Sequence, residues 1–188
     1  WVTLGQFKNT SYPPGSWKTM ESLGALMDKR QTDPSRANVL GRAPNEDHIP
    51  MPSLLPELAQ RGLRLRYLAP GASIADFQNA GDAALNLVVS PYTQPLAVKM
   101  ERELGIPFIS LHTLYAVKDI DRAYVNISEH FGFSWDNALG NERQEALMLE
   151  NQARKKLAGL TYALLPRIDV TLPLSLYLVN LGMEPLLL

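Results

Sequence analysis

The feature that most constrains the fold is an alternation of short apolar runs with stretches of helical pattern, punctuated by glycine. Residues 37–41 (ANVLG) form a β-branched, apolar run that ends in glycine. Residues 63–69 (LRLRYLA) alternate apolar and polar with period two, as a half-buried strand does. Residues 84–89 (ALNLVV) are almost continuously apolar, the pattern of a strand covered on both faces. Residues 107–111 make a further short strand. Helices are expected between these runs: 53–61 with Gly62 as C-terminal cap, 74–79 with Ser73 as N-cap and Asp76 in the first turn, and 94–104 capped by Gly105. Strands separated by helices of this length join through right-handed crossovers into a mainly parallel sheet. The expected class is α/β, a Rossmann-like three-layer α/β/α arrangement.

The flanks follow the same rules. The first dozen residues, with Gly5, Pro13 and Pro14, read as an irregular arm, and 15–30 as a helix whose stripe is Trp17, Met20, Leu23 and Met27. Residues 31–36, with Asp33-Pro34, read as a polar linker, and 44–52 as a loop. Later come helices over 117–131, stopped by Gly132, and 142–157. A last strand–helix–strand unit spans 160–165, 172–181 with Gly182 as cap, and 184–188. The expected organisation is an N-terminal arm and helix (1–36), a Rossmann-like domain (37–157), and a further β-α-β unit (158–188) that completes the sheet or opens another domain.

Composition removes several function classes. Net charge is −1 over 188 residues, without the basic excess a nucleic-acid binder carries. There is no cysteine, so this stretch supplies neither a disulfide nor a thiolate ligand for zinc or an iron–sulfur cluster. His48, His112 and His130 are scattered. No apolar run approaches the ~18 residues of a membrane span, and the start lacks the basic-then-apolar order of a secretory signal. The expectation is a cytoplasmic protein with neither nucleic acid nor membrane as partner. The start without Met and the apolar end, Leu186-Leu187-Leu188, are expected of an excised piece.

A dinucleotide fingerprint needs GxGxxG directly after a strand. Here Gly41 is followed by Arg42-Ala43-Pro44, without the second and third glycines. No Walker A sequence and no GxSxG elbow occurs. Ligands of open α/β sheets sit at the carboxyl ends of strands, so the loops at 42–48, 69–73, 90–93 and 111–115 are the places to search. They offer Asn45, Glu46, Asp47, His48, Ser90, Tyr92, His112 and Tyr115. His48 or His112 as a proton donor is one reading; ordinary polar loop residues, some buried at an interface, is the other, and the commoner for strand ends. Glu46 and Asp47 are adjacent and point apart, unlike a proton-sharing pair. Arg154-Lys155-Lys156 is a solvated helix end. The candidates for a cavity-facing surface are Asn45, His48, Ser90, Tyr92 and His112; no catalytic residue and no metal ligand is assigned.

Several segments in fixed order resemble a known family. Residues 7–12 (FKNTSY) resemble a "GF+xxS" arm, 37–41 (ANVLG) a "VNLIG" strand, and 54–66 (LLPELAQRGLRLR) a helix–strand pair. Residues 70–76 (PGASIAD) resemble a "GxSxxDL" turn, 80–89 (AGDAALNLVV) an "AxAxxNLV" strand, 101–107 (ERELGIP) an "LEExxGIP" element, and 178–185 (LVNLGMEP) an "ELGMEP" turn. Together they resemble the nitrogenase component 1 type oxidoreductases: molybdenum–iron protein subunits, cofactor-assembly scaffolds and dark-operative protochlorophyllide reductase subunits. The 137–157 region is closer to β-type subunits.

The resemblance implies a subunit of three Rossmann-like domains, of which this stretch is the central one and the start of the next. It implies an iron–sulfur cluster held elsewhere in the parent, a homologous component 1 subunit as partner, and an ATP-dependent iron–sulfur reductase as electron donor. The α-type subunit of the family carries a cofactor-binding cysteine before the "GIP" strand, and Ala97 is matched to it here. The expected role is therefore scaffolding of a substrate or metallocofactor cavity and a subunit interface, with the isolated piece inactive and cofactor-free. The alternative is a non-catalytic α/β module that binds a small ligand.

Overall fold

The computed structural model describes residues 12–42, 51–136, 138–164 and 171–187. The expected arm before residue 12 and most of the 44–52 loop lie outside them. The chain divides into two compact units, Trp1–His112 and Thr113–Leu188.

In the first unit, helix α1 (Tyr12–Leu23) leads through a 3-10 turn (Gly24–Leu26) to strand β1 (Asp33–Leu40). Then follow α2 (Leu54–Gln60), β2 (Arg64–Leu68), α3 (Ile74–Asn79), β3 (Ala83–Val88), α4 (Gln94–Leu104) and β4 (Phe108–Ser110). The strands form one parallel sheet in the order β2-β1-β3-β4. The chain moves one way along the sheet from β1 to β2 and the other way from β2 to β3 and β4. With right-handed crossovers, α2 therefore covers one face while α3 and α4 cover the other. The packing agrees: Leu40, Leu68 and Val88 share a buried cluster with Phe77 of α3 and with Leu96, Ala97 and Met100 of α4, together with Met20 and Met27. Burial of Leu54, Leu55 and Leu58 makes α2 amphipathic. Parallel strands between two helical layers confirm the three-layer α/β/α class.

Local chemistry accounts for the element ends. Ser73 Oγ accepts from Asp76 N (3.1 Å) while the Asp76 carboxylate accepts from Ser73 N (2.9 Å), a capping box that starts α3. Gly105 ends α4 in the left-handed region, φ 76°. Two expectations need correction. Residues 31–36 are not a linker throughout, because β1 begins at Asp33. Its polar start is held by ion pairs: the Asp33 carboxylate accepts from Ser35 N (3.1 Å), Ser35 Oγ (2.8 Å), Arg36 and Arg64. Asp33 pairs with Ala83, and the register shifts before Ala37 meets Leu85. The first helix also starts and stops earlier than residues 15–30. Pro13 and Pro14 fall in its first turn, where no amide is missed, and it tightens at Gly24, where a Cβ would stand 2.9 Å from Leu96 Cδ1.

In the second unit, α5 (Val117–Phe131), α6 (Gly140–Leu157), β5 (Thr161–Ala163), α7 (Thr171–Asn180) and β6 (Glu184–Leu187) follow in order. β5 and β6 pair in parallel as a separate two-stranded sheet. Glu150 of α6 accepts from Val117 N at the start of α5 (2.9 Å), and Asp121 pairs with Arg143. Trp135 Nε1 donates to Tyr124 O (2.7 Å), and its ring packs on Tyr124 and Phe133. No helix among the described residues is long and apolar enough to cross a membrane.

Candidate functional site

The strand order reverses between β1 and β3, and the crevice outside their carboxyl ends is where open α/β sheets bind ligands. Leu40, Val88 and Ser110 mark these ends. The backbone seals them together: Gly41 N donates to Leu68 O (2.8 Å), Val89 N to Leu40 O (3.0 Å), and Leu111 N (2.8 Å) and His112 N (3.3 Å) both to Val88 O. Gly41, at φ 93°, lets the loop after β1 touch the loop after β3. A Cβ on it would lie 2.3 Å from Ser90 Cβ and 2.9 Å from Thr93 Oγ1.

Ser90 opens a 3-10 turn (Pro91–Thr93) that runs into α4. Its Oγ accepts from Tyr92 N (3.4 Å), and Thr93 Oγ1 donates to Ser90 O (2.9 Å). Gln94, the first residue of α4, places Oε1 2.6 Å from Ser110 Oγ, which donates to it, and 3.1 Å from His112 Nε2. An amide oxygen only accepts, so this contact is a hydrogen bond with the proton on Nε2. Arg42, which follows Gly41, is buried at 5% exposure. Nearby Tyr67 has its phenol pKa pushed up by burial, which outweighs the lowering effect of the Arg42 charge.

Of the residues singled out from the sequence, Ser90, Tyr92 and His112 come to one end of this sheet. Ser90 and Tyr92 share a turn, and Gln94 ties His112 to the helix that follows it. Asn45, Glu46, Asp47 and His48 lie outside the described residues. Tyr115 belongs to the second unit, where it stacks on Tyr177 (5.9 Å) beside a cleft of about 330 Å³ lined by Thr113, Asp119 and Leu176. Gln94 and Arg42 are not among the residues that the sequence singles out. Gln94 stands one residue past the 90–93 loop, and its position as first residue of a helix after a strand-end loop is the available signal. Burial of Arg42 carried no signal at all.

The residues present do not fit an iron–sulfur cluster. The chain has no cysteine, and no group of three or more His, Asp or Glu among the described residues could hold a metal ion. Ala97, the position matched to the family's cofactor-binding cysteine, is fully buried in the cluster between the sheet and α4.

Comparison with known proteins agrees with this fold. The family model for nitrogenase component 1 type oxidoreductases matches residues 1–188. The nitrogenase molybdenum-iron protein beta chain of Clostridium pasteurianum is 29% identical over 120 residues, 63% of this chain and 26% of its own length. A solved structure titled nitrogenase Cp1 at pH 6.5 superposes with a TM-score of 0.68 at 20% identity, covering 93% of this chain and 42% of that one. A second, nitrogenase Cp1 at pH 5, gives 0.56 at 21% identity, covering 94% and 37%. At these identities the structural likeness is one of fold, and the chain spans less than half of each relative. The match over its whole length nevertheless settles its kinship: the chain belongs to the nitrogenase component 1 type oxidoreductase family.

Proposed function

We propose that these 188 residues are the central part of a β-type or scaffold-like subunit of a nitrogenase-like oxidoreductase. In this reading the redox cluster is bound by other parts of the subunit, and the first unit here walls a substrate or metallocofactor cavity and a subunit interface. The cavity-facing parts are the strand-end loops with Ser90, Tyr92 and His112. The partners are a homologous component 1 subunit and an ATP-dependent iron–sulfur reductase, in a cytoplasmic setting. The observation that carries the reading is a strand order that reverses between β1 and β3, without a single thiolate, in a chain that matches a redox family from end to end.

The site's own chemistry fits a wall better than a reaction centre. Ser90 and Thr93 spend their hydroxyls on the turn before α4, so this loop contributes shape. Ser110 and His112 share the Gln94 oxygen, which holds the polar edge of the crevice in one arrangement.

The test is iron and sulfide content and the visible spectrum of the full-length protein, purified without oxygen. A reducible iron–sulfur spectrum is expected there. A colourless, iron-free full-length protein would overturn the redox reading in favour of a small-ligand-binding module. The 188 residues alone are expected to be colourless, metal-free and catalytically silent, because they lack thiolate ligands; stoichiometric iron bound to them would contradict the assignment.

A further inference from the structure

Apolar alternation protects a sheet against a slip of one residue, which would turn each core face outward. A slip of two leaves every face where it was. Ala37, Val39 and Leu40 of β1 and Leu85, Leu87 and Val88 of β3 are all buried, so apolar pattern alone tolerates that slip. One row across the sheet is different. Arg66, Asn38 and Asn86 are Cα partners on β2, β1 and β3. Both asparagines are 0% exposed and Arg66 is 9% exposed.

Asn38 Nδ2 donates to Asn86 Oδ1 (2.9 Å) and to Ala80 O (3.0 Å). Arg66 reaches Asn38 Oδ1 (3.4 Å), Asn79 O (2.8 Å) and both carboxylate oxygens of Asp82 (2.6 and 3.1 Å). Asn86 Nδ2 meets no acceptor among the described residues. The bond from Asn38 is therefore what keeps the Asn86 amide from being a buried polar group without a partner.

We propose that the Arg66–Asn38–Asn86 row is a register lock that sets the relative height of the crevice loops. A two-residue slip moves β1 about 6.6 Å along β3. It sets Asn38 against Ala84 and Asn86 against Leu40, or Asn38 against Val88 and Asn86 against Arg36; either way the amide pair is broken, and an amide set against an apolar neighbour is buried without its partner. The same slip would carry Gly41 away from Ser90 and Val89 N away from Leu40 O, dissolving the crevice floor. The row lies two residues below that floor, and its effect holds whatever the crevice receives.

The experiment compares the 188-residue chain with its Asn38→Leu/Asn86→Leu variant, which removes both amides while keeping the number and branching of side-chain heavy atoms. Amide NMR spectra and hydrogen exchange are the readouts. The expected result is more than one set of resonances for β1 and β3, with exchange at Gly41 and Val89 at least about tenfold faster. Leu87→Ala, a cavity on the opposite face with the row intact, should lower the urea midpoint yet keep one set. If the double variant does not fold, Asn86→Ser, which shortens the pair out of reach, is read in the same way. A single set with Gly41 and Val89 exchange within about twofold of the parent chain would overturn the proposal, as would equal heterogeneity in Leu87→Ala.

Discussion

Gly41 and Gly105 both sit at positive φ, yet their substitutions should differ sharply. Nothing lies within 4 Å of a Cβ at Gly105, so Gly105→Ala costs only backbone strain, about 1 kcal/mol. At Gly41 the added Cβ meets Ser90 Cβ at 2.3 Å as well, and neither loop can retreat without breaking Val89 N–Leu40 O. Gly41→Ala should therefore cost more than about 2 kcal/mol in urea unfolding; equal losses at the two glycines would refute the close approach. Asp33 offers a second test. Hydrogen bonds from Arg64 first, then Ser35 and Arg36, hold its carboxyl well below the usual carboxylate range. A depressed folded pKa gives a stabilisation that is fully present above the unfolded value, about 3.9, and is lost as pH falls through the folded one. Asp33→Asn should thus flatten the acid side of the urea midpoint–pH curve below about pH 4 and lower the midpoint at neutral pH. Neither the Arg64 contact nor the Gln94 hub was legible in the sequence, since each joins residues that only the sheet brings together.

Elements were more legible than contacts, for a physical reason. α3 announces itself by Ser73 and Asp76, three residues apart, because a capping box is closed locally and needs nothing from the rest of the fold. Gly105 and Gly132 end α4 and α5 equally locally, at φ 76° and 70°. The sequence marks β1 only from residue 37, because its first four residues are held by charge and not by burial. The α3 cap gives a prediction at this scale. Ser73→Ala removes the acceptor for Asp76 N and should cost about 1 kcal/mol. Asp76, whose pKa is lowered chiefly by hydrogen bonds from Ser73, should move back up toward the ordinary carboxylate value in the variant. A carboxylate NMR titration that leaves Asp76 unmoved would show that the box does not form in solution.

At the scale of the whole chain, the two units differ in how much of their apolar surface is satisfied. The first gathers three helices and a four-stranded sheet around one cluster, with Leu40, Leu68, Val88 and Leu96 fully buried. Among the described residues of the second, α6 buries no side chain over 18 residues. On α7, Leu172 (66% exposed), Leu176 (59%) and Val179 (47%) form an exposed stripe at helical spacing, and Leu186 of β6 is 67% exposed. Two parallel strands carrying such a surface are far from the doubly covered sheet that parallel pairing normally requires. The stability of the 188 residues should therefore be uneven. Amides of β5, α7 and β6 should exchange through openings of only about 1–3 kcal/mol, while those of β1 and β3 should wait for global unfolding. Urea should release the second unit first, giving two transitions where intrinsic fluorescence and residue-resolved exchange are followed together. In the full-length protein, whose relatives extend well beyond this stretch, the slow-exchange class should spread to β5 and β6. Uniform protection across both units of the isolated chain would mean that the second unit carries a core of its own, and its exposed leucines would then need another explanation.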